Sequence, residues 1–304
     1  MPRVRLVFAL VILLVIGALS ASAQLAQVYT SNEGQHNLQL WNPNTNELTT
    51  LYNIGASPDD MTVNSQGQLI YSVPDSGTVS LWDPTTGTNS VLATGIEYVR
   101  DLEIEPSGET MLIAKYDSPA EIDRYTFATG TWTTLVPKTK GYNTFDGIAY
   151  DGYGNLYAVC THNTIIQINP TTGATIATLV LEPHSGVNGG DGLTWDPYTQ
   201  SLWATHDGKT GIGLLQIYVN KSGFVSTTSS GFTFYPFNAK TTGVTNVDGL
   251  KSDGAGNLYI GAIWNIIVYN IPTGEITKSV VAKGADGIGL VPGTYGAAVA
   301  RKTH

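Results

Sequence analysis

The sequence predicts an all-β fold, a six-bladed β-propeller of four-stranded antiparallel blades. Three observations predict it. A unit recurs along the chain at blade-sized spacing, every copy carries the same turn grammar, and the two ends of the repeat region are complementary parts of one more unit.

The chain opens on an export signal rather than on structure. Arg3 and Arg5 make a short basic region, Leu6 to Leu19 is an apolar run of 14 residues, and Ala21-Ser22-Ala23 offers the small residues of a cleavage site. The run falls short of the roughly 20 residues of a membrane-spanning helix. No cysteine stands at the cleavage site, so a lipoprotein anchor is excluded. Residues 1–23 are therefore expected to be a signal peptide, and residues 24–304 a single secreted domain, extracellular or periplasmic.

The repeat is clearest in DGIAYDGYGNLYA (146–158) and DGLKSDGAGNLYI (248–260), where Asp, Gly, Asp, Gly and Gly-Asn-Leu-Tyr fall at the same offsets. Weaker copies start at Asp60, Asp101 and Asp191, and a stub starts at Asp286. The spacings are 41, 45, 45, 57 and 38 residues, against about 40–50 for a four-stranded blade.

Within a unit the elements follow a fixed order. A short first strand follows the leading Asp. A tight turn such as Asp151-Gly152-Tyr153-Gly154-Asn155 leads to an apolar second strand, Asn155 to Cys160 in this copy. The third strand alternates, as in Thr164 to Ile168. A second turn follows, Pro84-Thr85-Thr86-Gly87, Pro170-Thr171-Thr172-Gly173 or Pro272-Thr273-Gly274. There Pro presets φ and Gly supplies a positive φ. The fourth strand is rich in Thr and Val. After the signal no stretch has the 3.6-residue apolar period of an amphipathic helix.

The ends complete each other. Residues 25–54 hold a second, third and fourth strand (Gln27 to Thr30, Leu38 to Trp41, then the turn at Pro43) but no first. Residues 286–291 are a first strand with nothing after it. Together they make a composite closing blade, and closure removes exposed sheet edges. The fourth unit is the longest, and its excess is expected as an enlarged loop at Ser229–Val244.

Composition narrows the partners. Without Arg3 and Arg5, 13 basic residues face 24 acidic ones, a formal charge of −11. That argues against nucleic acid and against anionic membrane. Bound cations, a small neutral molecule or a glycan remain compatible, and a monomer is expected. The single cysteine, Cys160, sits in a strand and reads as an inert buried thiol, so no intrachain disulfide forms.

Propeller topology puts every leading Asp at one mouth of the central channel, with the loops between second and third strands on the same face. Asp60, Asp101, Asp146, Asp191, Asp248 and Asp286 are expected there. Asn188 precedes Asp191 by three residues and Asn246 precedes Asp248 by two. Crowded carboxylates repel unless protonated or neutralised by a cation, and carboxylate with Asn oxygen suits a divalent ion such as Ca²⁺. Asp191, Asp248, Asn188 and Asn246 are the candidate ligands. The plainer account of an Asp in all six units is architectural, tying down backbone N–H groups. Asp151 and Asp253 in the first turn are read as structural.

His162 and His206 take matching positions in adjacent units, and His184 lies between them. Three imidazoles near one mouth could serve as acid, base or metal ligands, although exposed loop histidines without a role are the plainer reading. Tyr116, Trp264 and Tyr235 are candidate pocket-lining aromatics, while Trp41, Trp82, Trp195 and Trp203 are read as sheet packing.

The units DGIAYDGYGNLYA and DGLKSDGAGNLYI resemble the repeats of the SMP-30/gluconolactonase/LRE-like propellers. They are also similar to NHL repeats and to the propeller of streptogramin lyases. The resemblance spans the mature chain, and six blades favour the gluconolactonase-like family. It implies a divalent metal at the channel mouth held by a Glu, an Asn and an Asp. The metal would polarise a lactone carbonyl while a carboxylate acts as base. Asp146, Asp191 and Asp248 match the Asp-Gly strand start of that family; the early metal-binding Glu has no counterpart here.

Three functions follow as expectations. The first is a metal-dependent hydrolase of small lactones or esters, with Asp146 or His206 as base. The second is a non-catalytic extracellular module binding a glycan, peptide or protein through the rim and the 229–244 loop. The third is a streptogramin-lyase-like enzyme using His184 or His206 as base.

Overall fold

In a computed structural model, residues 24–294 are described, apart from residues 97, 117–118, 139–141, 161–163, 182–188 and 209–210. For residues 189–191, 208, 239 and 241 the backbone alone is described.

The N-terminal strands β1 (Val28–Asn32), β2 (Asn37–Asn42) and β3 (Glu47–Asn53) come first. Blade one is β4 (Met61–Val63), β5 (Leu69–Val73), β6 (Thr78–Asp83) and β7 (Thr88–Thr94). Blade two is β8 (Val99–Ile104), β9 (Thr110–Lys115), β10 (Ile122–Thr126) and β11 (Thr131–Val136). Blade three is β12 (Phe145–Tyr150), β13 (Leu156–Cys160), β14 (Thr164–Ile168) and β15 (Thr175–Val180). Blade four holds β16 (Gly189–Asp196), β17 (Ser201–Gly208), β18 (Gly211–Asn220), the two-residue β19 (Gly223–Phe224) and β20 (Phe232–Pro236). Blade five is β21 (Leu250–Ser252), β22 (Asn257–Ala262), β23 (Asn265–Asn270) and β24 (Ile276–Lys278), and β25 (Ala285–Leu290) ends the series.

Pairing is antiparallel throughout, and β25 joins β1 to give the sheet order β25-β1-β2-β3. The composite blade is therefore present as the sequence implied. First strands touch in a closed ring: β4 meets β8, β8 meets β12, β12 meets β16, β16 meets β21, β21 meets β25, and β25 meets β4. Six blades thus surround one channel.

Burial follows radius. Second strands such as Leu69–Val73 and Leu156–Cys160 are buried at every residue, while outer strands such as Thr88–Thr94 are largely exposed. A sheet covered on both faces needs a continuous apolar run rather than an alternating one, which is why LIYSV and LYAVC read as they do. Each gap between neighbouring blades carries its own apolar core. Leu112, Ile122, Ile148 and Leu156 fill the one between blades two and three, and Trp41, Tyr259, Ile266 and Ile288 the one between blade five and the composite blade. Cys160 is fully buried in the first of these, and burial pushes its thiol up to about 12, so it is inert at neutral pH.

The turns work as their residues require. Asp83, Asn169 and Asn270 each accept the backbone N–H groups of the following Thr residues, and Gly87, Gly173 and Gly274 take φ near 70°.

Blade four departs from expectation. Residues 232–236, expected within an enlarged loop, are its outer strand, in register from Gly213↔Pro236 to Ile217↔Phe232. The extra length goes into β17 and β18, of 8 and 10 residues, into the small hairpin capped by β19, and into the connection between Pro236 and Leu250, which holds the short helix Ala239–Thr242 and keeps part of the expected loop. The reason is packing. Phe232 and Phe234 lie against the core between blades three and four, and Tyr235 against the core between blades four and five.

Candidate functional site

The first strands bring Asp60, Asp101, Asp248 and Asp286 to one cavity at the channel mouth, together with Arg100, Lys251 and the backbone of Gly192 and Gly249. Two of these Asp residues are clasps between blades. Asp60 Oδ2 accepts the Leu102 N–H of the next blade at 2.8 Å, and Asp101 Oδ2 accepts the Ile148 N–H of the blade after. The Gly that often follows has a matching cause. A Cβ on Gly192 would lie 2.5 Å from the Asp248 carbonyl oxygen, and one on Gly249 would lie 2.6 Å from that of Asp286. Asp-Gly recurs because inner strands meet too closely there for a side chain.

The carboxyls also pair. Asp60 lies beside Asp101, and Asp286 beside Asp248, close enough for each charge to act on its neighbour. Burial pushes Asp60 well above the usual carboxylate range, with the charge of Asp101 adding to it and Lys251 pulling the other way. Asp286 is raised by burial and then by Asp248 and Asp59. Close like charges resist joint ionisation, so Asp60 and Asp286 keep their protons to higher pH than a lone carboxyl would.

Below the mouth an ion pair crosses the channel. Lys251 Nζ of blade five lies 3.4 Å from Glu103 Oε2 of blade two, and these blades stand opposite each other in the ring. Burial works against the Lys251 charge, but Glu103, Asp101 and Asp60 outweigh it and hold the ammonium above its ordinary range. Burial likewise pushes Glu103 up, partly offset by Lys251. Lys251 borders both the mouth and a second cavity on the opposite face, so the pair divides the channel in two.

On the mouth face, Arg100 Nη1 binds Asp59 Oδ2 at 2.9 Å and its guanidinium lies 4.8 Å from the centre of the Tyr116 ring. Tyr116 is 46% exposed and Tyr98, whose carbonyl accepts the Tyr116 N–H, is 54% exposed. Trp264, in the turn between β22 and β23, is 46% exposed, with Lys283 Nζ 5.7 Å from its ring centre. Ile263, Val280 and Val281 are exposed beside it on loops joined by backbone hydrogen bonds.

The expected site residues divide accordingly. Asp248, Tyr116 and Trp264 stand at or around the mouth. Asp146 is buried, accepts the Thr144 hydroxyl at 2.7 Å, and is not among the residues that line the cavity. Asn246 is partly buried in the segment leading to Asp248 and does not line the cavity either. His206 is not in a loop. It lies within β17, fully buried, with Phe234 edge-on at 4.7 Å, because that strand runs on through Asp207. Tyr235 does not line the mouth cavity. It packs on Trp203 at 5.3 Å and donates its hydroxyl to Gln216 Oε1 at 3.0 Å. His162, His184 and Asn188 lie outside the described residues, as does the side chain of Asp191.

Among the described residues no three His, Cys, Asp or Glu side chains converge to hold a metal ion. The described mouth carboxyls lie beside one another, Asp60 and Asp101 accept backbone N–H groups, and Lys251 supplies positive charge among them. Sequence reading missed Glu103, Lys251 and Arg100. The available signal was variation at equivalent positions: the third residue after the leading Asp is Val63, Ile104, Ala149, Thr194 and Gly289 in the other units, and Lys251 alone is charged.

No family model matches the chain, and no curated protein matches it. Solved structures do. A chain of a nidogen–laminin complex superposes with a TM-score of 0.69 at 12% identity, covering 88% of this chain and 98% of that one. A gluconolactonase from Xanthomonas campestris gives 0.63 at 13% identity, covering 86% and 87%. A streptogramin B lyase gives 0.53 at 14% identity, covering 86% and 75%. At these identities the likeness shows the fold alone, the six-bladed propeller of four-stranded blades on which a complex-forming protein and a gluconolactonase are both built.

Proposed function

We propose that this chain is a secreted binding module that takes a glycan on its channel-mouth face. The observation that carries the reading is the set of exposed aromatics on that face, Tyr98, Tyr116 and Trp264, around an acidic opening. An exposed ring offers a flat apolar surface to a sugar ring, and carboxylates nearby accept its hydroxyl protons. Arg100 and Lys283 place cations over two of these rings, contacts that favour one ring orientation before a ligand arrives. Secretion rests on the pattern of residues 1–23; among the described residues no helix is long and apolar enough to cross a membrane. The test is an oligosaccharide panel scored by calorimetry on the mature chain. Tyr116→Ala and Trp264→Ala are each expected to weaken the best ligand at least about tenfold. Binding that ignores both substitutions would end the proposal.

A second reading, a metal-dependent hydrolase of small lactones or esters, is favoured by the convergence of Asp60, Asp101, Asp248 and Asp286 on one opening. On that reading Asp191 and Asp248, with Asn188 or Asn246, would hold Ca²⁺, which polarises the substrate carbonyl. The chain's own part would be to accept a proton from water at one of the paired carboxyls. Calorimetric titration with Ca²⁺, repeated on Asp248→Ala, separates the readings: a stoichiometric site lost in the variant supports the hydrolase.

A further inference from the structure

The face opposite the mouth carries a second opening, independent of the glycan reading. It is a vestibule of about 260 Å³ lined by Thr62, Glu103, Ile104, Lys251, Ser252 and Leu290, among others. Its floor is the Lys251–Glu103 pair. We propose that this vestibule binds a small zwitterion of amino-acid size, its carboxylate on Lys251 and its ammonium on Glu103.

Three observations carry the assignment. The first is the length of the pair. The other ion pairs among the described residues close to 2.9 Å or less, whereas Lys251 Nζ and Glu103 Oε2 stand 3.4 Å apart. An ammonium has three donors and a carboxylate about four acceptor positions. Glu103 also accepts the Tyr150 N–H, and that bond together with one long contact still uses only part of what the two groups offer. The second is exposure. Both side chains keep about a fifth of their surface open, 18% for Lys251 and 21% for Glu103, although each bears a charge that burial penalises. The third is shape and polarity. Ile104 and Leu290 give apolar wall, Thr62 and Ser252 polar wall, and the space suits a molecule of a few carbon atoms rather than a sugar chain. In an α-amino acid the ammonium and carboxylate sit side by side, at a spacing that matches adjacent charges of opposite sign. A ligand with a single charge would satisfy one member and strand the other, which is the unfavourable outcome.

The test uses calorimetry on the mature protein with three probes: alanine, propionate and ethylamine. Alanine is expected to bind with one site per chain and at least about tenfold more tightly than either singly charged probe. Glu103→Gln, which keeps shape, and Lys251→Met are each expected to weaken alanine at least about tenfold while the melting transition stays cooperative. The proposal is overturned if no probe binds, if propionate or ethylamine binds as tightly as alanine, or if alanine binding survives Glu103→Gln. The three-probe comparison on the unmodified protein decides the matter even where a variant does not fold. Loss of glycan binding in Tyr116→Ala bears on the mouth alone, so the two proposals fail separately.

Discussion

Asp253 shows how much one side chain organises. Its Oδ1 accepts the N–H groups of Ala255 and Asn257, while Oδ2 accepts the Asn257 amide at 2.7 Å and the Tyr259 hydroxyl. Asp151 repeats the set with Tyr153, Asn155 and Tyr157. Tyr259 in turn accepts the N–H of Ala26 at 2.7 Å, so this turn also anchors the N-terminal segment. Asp253→Ala is expected to cost about 3 kcal/mol in urea denaturation, since several bonds to one buried acceptor are lost together. A loss below about 1 kcal/mol would remove that role. Asp286 makes a different prediction. A carboxyl whose pKa is higher folded than unfolded contributes stability that is full below the unfolded value near ~4 and drains away as pH rises through the folded value. Asp286→Asn removes that loss. Its melting temperature relative to the parent should therefore climb from pH ~4 to pH ~8, and a constant offset would contradict the raised carboxyl. Asp151, Asp253 and Cys160 were legible in the sequence because their duties are local. Glu103 and Lys251 were not, because 148 residues separate them and only ring closure brings them together.

At the scale of elements, the composite blade depends on Ser31. Its hydroxyl donates to the Asp59 carbonyl of blade one and accepts the Gly287 N–H of β25 at 2.8 Å, so one side chain ties three segments. Ser31→Ala leaves two buried backbone groups without that partner and is expected to cost about 2 kcal/mol, again read by denaturation; a neutral effect would mean that β1 and β25 need no such pin. The closing blade was legible because its two parts lack complementary strands. The outer strand of blade four was not. Asn220-Lys221-Ser222-Gly223 is a turn signal, and the Ser and Thr run after it reads as loop. The strand resumes at Phe232 only because β18 is long enough to pair with it. The same extension hid His206: Asp207-Gly208 looks like a turn in sequence, yet β17 continues through it.

For the whole molecule, the ring of first strands converts a repeated Asp into a shared opening, and an ion pair between opposite blades divides the passage beneath it. The repeat made this geometry readable in advance. The same topology marked Tyr116 and Trp264, which fall in loops between second and third strands, whereas Tyr98, just before β8, carried no such mark. The mouth face is the glycan-binding face on this account, and hydrogen–deuterium exchange, with and without the tightest oligosaccharide of the panel, tests that claim most directly. Protection is expected at residues 98–101, 115–116, 263–265 and 279–284, all on loops or strand ends around the mouth. Protection confined to the outer strands or to the turns of the opposite face, or no oligosaccharide that binds at all, would contradict it.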